Sequence, residues 1–177
     1  MPKIQNALVV GISQSEQSPD IVSVLAEGKK QGNLTLAITN EPKPPLAKSA
    51  DFVIDIQAGD ERAVAATKTY TAQLMTIAML SAALAGEESL WDELAQVSIW
   101  ASKVLEQDQK IAQAAQPYRY MQQCVVLGRG YNYATAFEWA LKLKDNFNVY
   151  ASRVSLPGYT NYFLQKTDFG GFDQEKV

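Results

Sequence analysis

Histidine is missing from all 177 residues. That removes Ser-His-Asp and Cys-His nucleophile systems, HExxH metal sites and any imidazole general base supplied by this chain. Cysteine occurs once, at Cys124, so neither an internal disulfide nor a Cys-rich zinc site can form, and a reducing compartment fits. No apolar run approaches the roughly 18 residues that span a bilayer. The opening residues, Met1-Pro-Lys-Ile-Gln5, lack the apolar stretch and cleavage site of a secretory leader. A cytoplasmic location with no membrane partner is expected. Excess charge is also scarce: the net value is −3 and the pI about 5.0, so no basic field exists to hold a nucleic acid. What is present is 47% apolar, 20% charged and 10% aromatic residues, the composition of a folded globular protein. The length suits one domain with a sizeable core, or slightly more.

Short β-rich runs alternate with helical patterns in the first third. Residues 7–12 are almost continuously apolar, as in a parallel strand buried on both faces. They run into Ser13-Gln-Ser-Glu-Gln-Ser18 and then Pro19-Asp20, where Ser18 suits the N-cap, Pro19 the first helical position and Asp20 the positive end of the helix dipole. The helix carries Ile21, Val22, Val24, Leu25 and Gly28 inward and ends at Gly32. Residues 34–39 and 52–56 read as two further strands, with one helical turn over 46–50 between them. This βαβ order predicts a parallel sheet. A long, mostly buried helix is expected from Arg62 to about Leu84, with Leu74, Ile77 and Ala78 in its apolar stripe, and a second over 89–116, flanked by Trp91 and Trp100. The chain then restarts with a strand at 124–127, a Gly128-Arg-Gly130 turn and a helix over 134–144. Two strand-loop-helix openings hint at an internal duplication. Beyond Asp145 helical periodicity is lost, and residues 148–155 are compatible with one more strand.

Three segments carry chemistry. Ser13, Gln14, Ser15 and Ser18 place hydroxyls and a carboxamide between a buried strand and a helix N-terminus, a neutral cradle for a phosphate. The same residues also serve an ordinary capped turn. Residues 61–71 offer small side chains for close backbone approach, with Thr67, Thr69 and Thr71 adding hydroxyls and Lys68 a cation; a plain amphipathic first turn is the competing reading. Glu138, Lys142 and Asp145 share one helix side by spacing, which equally describes a solvated ion-pair face.

Gly11-Ile-Ser-Gln-Ser15, Leu34-Thr-Leu-Ala-Ile-Thr-Asn40, Ala58-Gly-Asp-Glu61, Val64-Ala-Ala-Thr-Lys-Thr-Tyr-Thr-Ala-Gln73 and Gly128-Arg-Gly130 with Ala140-Leu-Lys-Leu-Lys144 occur in the order found in the sugar isomerase (SIS) domain family. The chain resembles that family from about residue 7 to 145. Within it, the similarity is to the isomerase half of glutamine–fructose-6-phosphate aminotransferase and to glucosamine-6-phosphate deaminase-like proteins.

The resemblance implies a three-layer, doubly wound α/β fold with an incomplete parallel sheet. It divides the chain into an incomplete first SIS unit (1–85), a connector helix (86–117) and the start of a second unit with an aberrant tail (118–177). Ser13, Gln14, Ser15 and Ser18 match the phosphate loop, and Val64 and Ala66 match backbone contacts to the sugar. Glu138, Lys142 and Asp145 match the isomerase site. Asp145 stands where the family usually has Glu, the base that moves a proton between C1 and C2. Glu16 replaces the loop's usual Gly, bringing a negative charge beside the expected phosphate. The implied function is phosphosugar binding in amino-sugar metabolism, with aldose–ketose isomerisation or deamination of a hexosamine 6-phosphate as the chemistry. The alternative is a non-catalytic phosphosugar-binding or regulatory module, or an inactive fragment. A sugar phosphate is the expected ligand, self-association is expected, and neither metal nor organic cofactor is implied. Because family matches stop at Asp145, and the family's first strand has no counterpart after Met1, a chain truncated at both ends is expected.

Overall fold

The computed structural model describes residues 2–14, 18–42, 45–62, 66–147 and 150–155. By internal contacts the chain falls into two compact units, Met1–Gln107 and Asp108–Val177.

In the first unit, β1 (Leu8–Ser13), β2 (Leu34–Thr39) and β3 (Phe52–Asp55) form a parallel sheet in that order. Val10 pairs with Leu36, and Leu36 with Phe52. Side chains alternate across the sheet. One face therefore presents Val9, Gly11 and Ala37 to α1 (Pro19–Lys30) and to the short α2 (Leu46–Ser49). Val9, Leu25, Ala37, Leu46 and Ala50 form the buried core on that side. Full burial of Leu25 and Leu46 contributes about 1.5–3 kcal/mol each. The opposite face buries Leu36 and Ile38. Beside them, Ile54 and the α3 residues Met79 and Leu80 line a cavity of about 360 Å³, which places α3 (Lys68–Ala85) on this side. Helices thus lie on both faces of an all-parallel sheet, the α/β architecture expected. β1, however, is not buried on both faces as its apolar run predicts, since Leu8, Val10 and Ile12 on its outer face stay exposed.

Tight approach seats α1 on β1. A Cβ at Gly28 would lie 2.8 Å from Val9 Cγ2, and one at Gly11 would lie 2.8 Å from Ile21 Cγ2. The far end of the sheet is pinned by polar contacts. Thr35, fully buried, donates through its amide (3.0 Å) and its hydroxyl (2.8 Å) to Asp51 Oδ2, and Lys29 Nζ lies 2.9 Å from Asp51 Oδ1. The bonds from Lys29 and Thr35 hold the Asp51 carboxyl below its usual range. Gln31 Oε1 accepts from Ile4 N and Asn33 Oδ1 accepts from Ala7 N, tying the N-terminal segment to the α1–β2 turn.

Three expectations for the helices are corrected. The long helix starts at Lys68, not Arg62: Glu61 accepts from the amides of Thr67 and Thr69 and so marks its N-terminus. Nor is it mostly buried: only Thr69 and Ala82 are, whereas Leu74, Ile77 and Leu84 are 45%, 42% and 76% exposed. The helix expected over 89–116 is two, α4 (Glu88–Leu105) and α5 (Asp108–Ala115), followed by a 3₁₀ turn at Gln116–Tyr118. Residues 106–110 contain no apolar side chain to extend the stripe, and Asp108 opens a new first turn.

In the second unit β4 (Gln123–Gly128) pairs in parallel with β5 (Tyr150–Ser155), and α6 (Asn132–Phe147) connects them, burying Ala136 and Ala140. Cys124 is half-buried, and burial pushes its thiol above the ordinary value. The segment beyond Ser155 lies outside the described residues. Among the described residues, no helix is long and apolar enough to cross a membrane.

Candidate functional site

The C-terminal ends of β1, β2 and β3 meet at one edge of the first unit, where ligands bind in open α/β sheets. β1 ends at Ser13, which is buried, and α1 begins after Ser18. Ser18 holds the N-cap position expected of it, yet its side chain makes no capping bond. Instead Ser13 Oγ and Ser18 Oγ lie 2.9 Å apart and share a hydrogen bond, and Ser18 O accepts from Val22 N to begin the helix. The turn is closed by its own hydroxyls. The amides of Asp20 and Ile21, in the first turn of α1, have no i−4 carbonyl within the helix, the position from which helix N-termini bind anions. Gln14 is exposed beside them. Ser15 lies outside the described residues, as does Glu16, whose direction the sequence leaves open.

Gln14 also lines a polar cavity of about 640 Å³ at this edge, with Asn40, Asp55, Gln57 and Glu61 among its walls. Asp55 ends β3, and the other wall residues follow a strand or precede α3. Asn40, one residue past β2, accepts from Ala58 N at 2.8 Å and donates through Nδ2 to Gly59 O at 2.7 Å. Between β3 and this clamp, Gln57 takes φ 51°, a left-handed conformation uncommon for a residue with a Cβ, and its amide donates to Asp55 Oδ1. Gly59, at φ 68°, adopts the same region without a steric penalty.

Glu61 Oε2 accepts from Thr67 N (2.9 Å), Thr69 N (3.1 Å) and Thr69 Oγ1 (3.2 Å). A carboxylate at the N-terminus of α3 complements the helix dipole and satisfies donors that the helix cannot. Two of the hydroxyls that the sequence offers to a ligand here, those of Thr69 and Thr71, are engaged within the chain. Thr69 is buried against Glu61, and Thr71 Oγ1 donates to Lys68 O at 3.0 Å. Lys68 is exposed and Ala66 half-buried; Val64 lies outside the described residues.

In the second unit, β4 ends at Gly128, where a Cβ would come within 2.5 Å of Asn132 O, so only glycine lets α6 start this close to the strand. Glu138 and Lys142 meet on α6, with Oε1 and Nζ 2.8 Å apart and both side chains about one-fifth exposed (20% and 23%). Asp145 follows on the same side of the helix by its seven-residue spacing from Glu138 and is exposed. Among the described residues, no group of three His, Cys, Asp or Glu side chains is arranged to hold a metal ion.

Sequence reasoning picked out the Ser13–Ser18 turn and the Glu138–Lys142 pair. It gave no role to Asn40 or Gln57. The signal for Asn40 was its place immediately after a buried parallel strand, the position that faces a ligand crevice. For Glu61 the signal was an acidic residue a few positions ahead of a helix start.

Comparison with known proteins gives this geometry a family. The isomerizing glutamine–fructose-6-phosphate aminotransferase of Shouchella clausii is 38% identical over 148 residues, a match covering 80% of this chain and 25% of that enzyme. The chain thus spans about a quarter of the length of that relative. The C-terminal domain of glucosamine-fructose-6-phosphate aminotransferase from Francisella tularensis superposes with a TM-score of 0.82 at 28% identity, over 87% of this chain and 47% of that domain. Glucosamine-6-phosphate deaminase from Thermotoga maritima shares the fold at 18% identity, with a TM-score of 0.82, over 94% of this chain and 51% of that protein. Residues 4–83 match the SIS domain family, and over that segment the chain carries a SIS domain.

Proposed function

We propose that this chain binds a sugar phosphate of amino-sugar metabolism, with the phosphate at the β1–α1 turn and the sugar in the adjoining polar cavity. The observation that carries this reading is the pairing of Ser13 Oγ with Ser18 Oγ across the mouth of α1, beside a cavity of about 640 Å³ that Gln14 also lines. Hydroxyls and free amides at a helix N-terminus stabilise an anion without a cation of their own. The names of the aminotransferase and deaminase relatives supply the substrate class, a hexose or hexosamine 6-phosphate. Ser13, Gln14, Ser15 and Ser18 take the phosphate in this reading, and backbone atoms of Val64 and Ala66 take the sugar hydroxyls.

The chemistry proposed for the second unit is proton transfer alpha to a carbonyl. Asp145 acts as base between C1 and C2, while Lys142 and Glu138 assist ring opening and orientation. A non-catalytic binding module is the second reading. It is favoured by the ion pair that already engages Lys142 with Glu138. Self-association belongs to the same proposal, supported by the apolar side chains that the described residues leave in water, among them Leu84 and Trp100, 76% and 54% exposed.

Thermal melting with and without glucosamine 6-phosphate tests the binding reading, since a ligand of the native state raises the midpoint. A rise with glucosamine 6-phosphate and none with glucosamine supports it; no rise with any hexose phosphate refutes it. Coupled isomerase and ammonia-release assays then separate the two readings. Turnover abolished by Asp145→Ala supports catalysis, and turnover that survives this change removes Asp145 as base.

A further inference from the structure

We propose that Asn40 and Glu61 are positioning residues, two side-chain clamps that hold the cavity wall in shape for the sugar. The inference rests on the phosphosugar reading above. Both side chains are half-buried, and both line the polar cavity.

Asn40 acts on the loop after β3. Its carboxamide grips two consecutive residues, accepting from Ala58 N and donating to Gly59 O. That bidentate grip fixes a stretch with two successive irregularities, Gln57 at φ 51° and Gly59 at φ 68°. A non-glycine residue in the left-handed region is strained and persists only where neighbours over-determine it. Asn40 is such a neighbour, and Asp55 Oδ1 on Gln57 N is the other.

Glu61 acts at the other end of the wall. Its single oxygen Oε2 gathers the amides of Thr67 and Thr69 and the Thr69 hydroxyl, joining the loop to the first turn of α3 across six to eight residues of chain. This carboxylate occupies the positive end of α3, so that helix end is already filled and presents no second anion site. Phosphate is thereby directed to the β1–α1 turn. The wall at Glu61 is thus tied to α3 before any ligand arrives. A loop without such clamps would lose conformational entropy on binding, and affinity with it.

The roles of the two anchors separate experimentally, because inorganic phosphate uses only the β1–α1 turn while glucosamine 6-phosphate uses the turn and the wall. The probes are these two ligands, measured by NMR or calorimetric titration, together with hydrogen exchange of the Ala58, Thr67 and Thr69 amides in the ligand-free protein. Asn40→Ala is expected to accelerate exchange at Ala58, and Glu61→Ala at Thr67 and Thr69, about tenfold or more. Each variant should weaken glucosamine 6-phosphate roughly tenfold, the equivalent of one or two lost hydrogen bonds, and change inorganic phosphate less than twofold. Glu61→Gln, which keeps an acceptor oxygen but loses the charge, should fall between wild type and Glu61→Ala. Unchanged exchange overturns the clamps. Equal weakening of both ligands, or no weakening of either, overturns the positioning role alone. Wild-type protein that binds neither ligand defeats the phosphosugar reading, and the positioning role with it, while the exchange data still decide whether the clamps exist.

Discussion

Ser13 and Ser18 do different work from the capping serines they resemble. A capping hydroxyl turns back on its own helix, whereas these two face each other at 2.9 Å across the turn. A bound phosphate would take over as acceptor for both. Ser18→Ala loses no capping bond but does lose the part-buried bond to Ser13, so it is expected to destabilise the free protein by only about 0.5–1.5 kcal/mol. The same change should reduce affinity for glucosamine 6-phosphate about tenfold, the scale of one hydrogen bond to a charged group. Titration calorimetry on the variant checks this; full affinity without the Ser18 hydroxyl removes it from the cradle. Asp51 makes a contrasting case at the N-terminal end of the sheet, far along β2 from the ligand edge. Its folded-state carboxyl is held low by Lys29 and Thr35. A depressed carboxyl contributes stability above its unfolded value, about 3.9, and loses that contribution as pH falls through the lower folded value. Urea titrations between pH 7 and pH 2.5 should show stability declining below about pH 4, with a shallower decline in Asp51→Asn. Equal slopes would mean that Asp51 contributes nothing to acid sensitivity.

Among the elements, those with a strong local signature were legible. β1 and β2 are runs of apolar and β-branched residues, α1 has its Ser-Pro-Asp start and Gly32 stop, and each appears within a residue or two of its expected place. α3 was misplaced because apolar spacing continues back through Val64, while its true start is fixed by Glu61, a contact between positions 61 and 69 that periodicity does not encode. The break between α4 and α5 was legible in principle, from five successive polar residues at 106–110, but weaker than the helix propensity around it. Gly28 and Gly128 were readable only as helix and turn glycines; the structure adds what they touch. Gly128→Ala drives a Cβ into the Asn132 carbonyl, a backbone atom, and should destabilise the protein by about 1–3 kcal/mol. Gly28→Ala meets only the Val9 side chain and gains helix propensity of about 1 kcal/mol, so its cost should be smaller. Chemical denaturation of the two variants orders them, and the reverse order would contradict the packing described.

Across the whole molecule, the two ends of the parallel sheet divide the labour. The N-terminal strand ends carry the Thr35–Asp51–Lys29 network and the tethers to Ile4 and Ala7. The C-terminal strand ends carry the Ser13–Ser18 turn, Asn40 and the polar cavity. The edge that carries the candidate site was readable from strand-loop-helix order alone. Surface burial was not readable, because an apolar stripe has the same sequence whether or not something covers it. Leu8, Val10 and Ile12 form such a stripe on the outer strand β1, 49%, 42% and 36% exposed. Sedimentation velocity across a hundredfold range of protein concentration should accordingly show association growing with concentration. A monomer at every concentration would refute self-association. The central claim is narrower and meets a single measurement most directly: an amide-resolved NMR titration of the protein with glucosamine 6-phosphate. The account predicts saturable shifts concentrated at Ser13, Gln14, Ser18, Asp20 and Ile21, all abolished when unphosphorylated glucosamine replaces the ligand. Shifts confined to other parts of the chain, or equal shifts with and without the phosphate group, would contradict it.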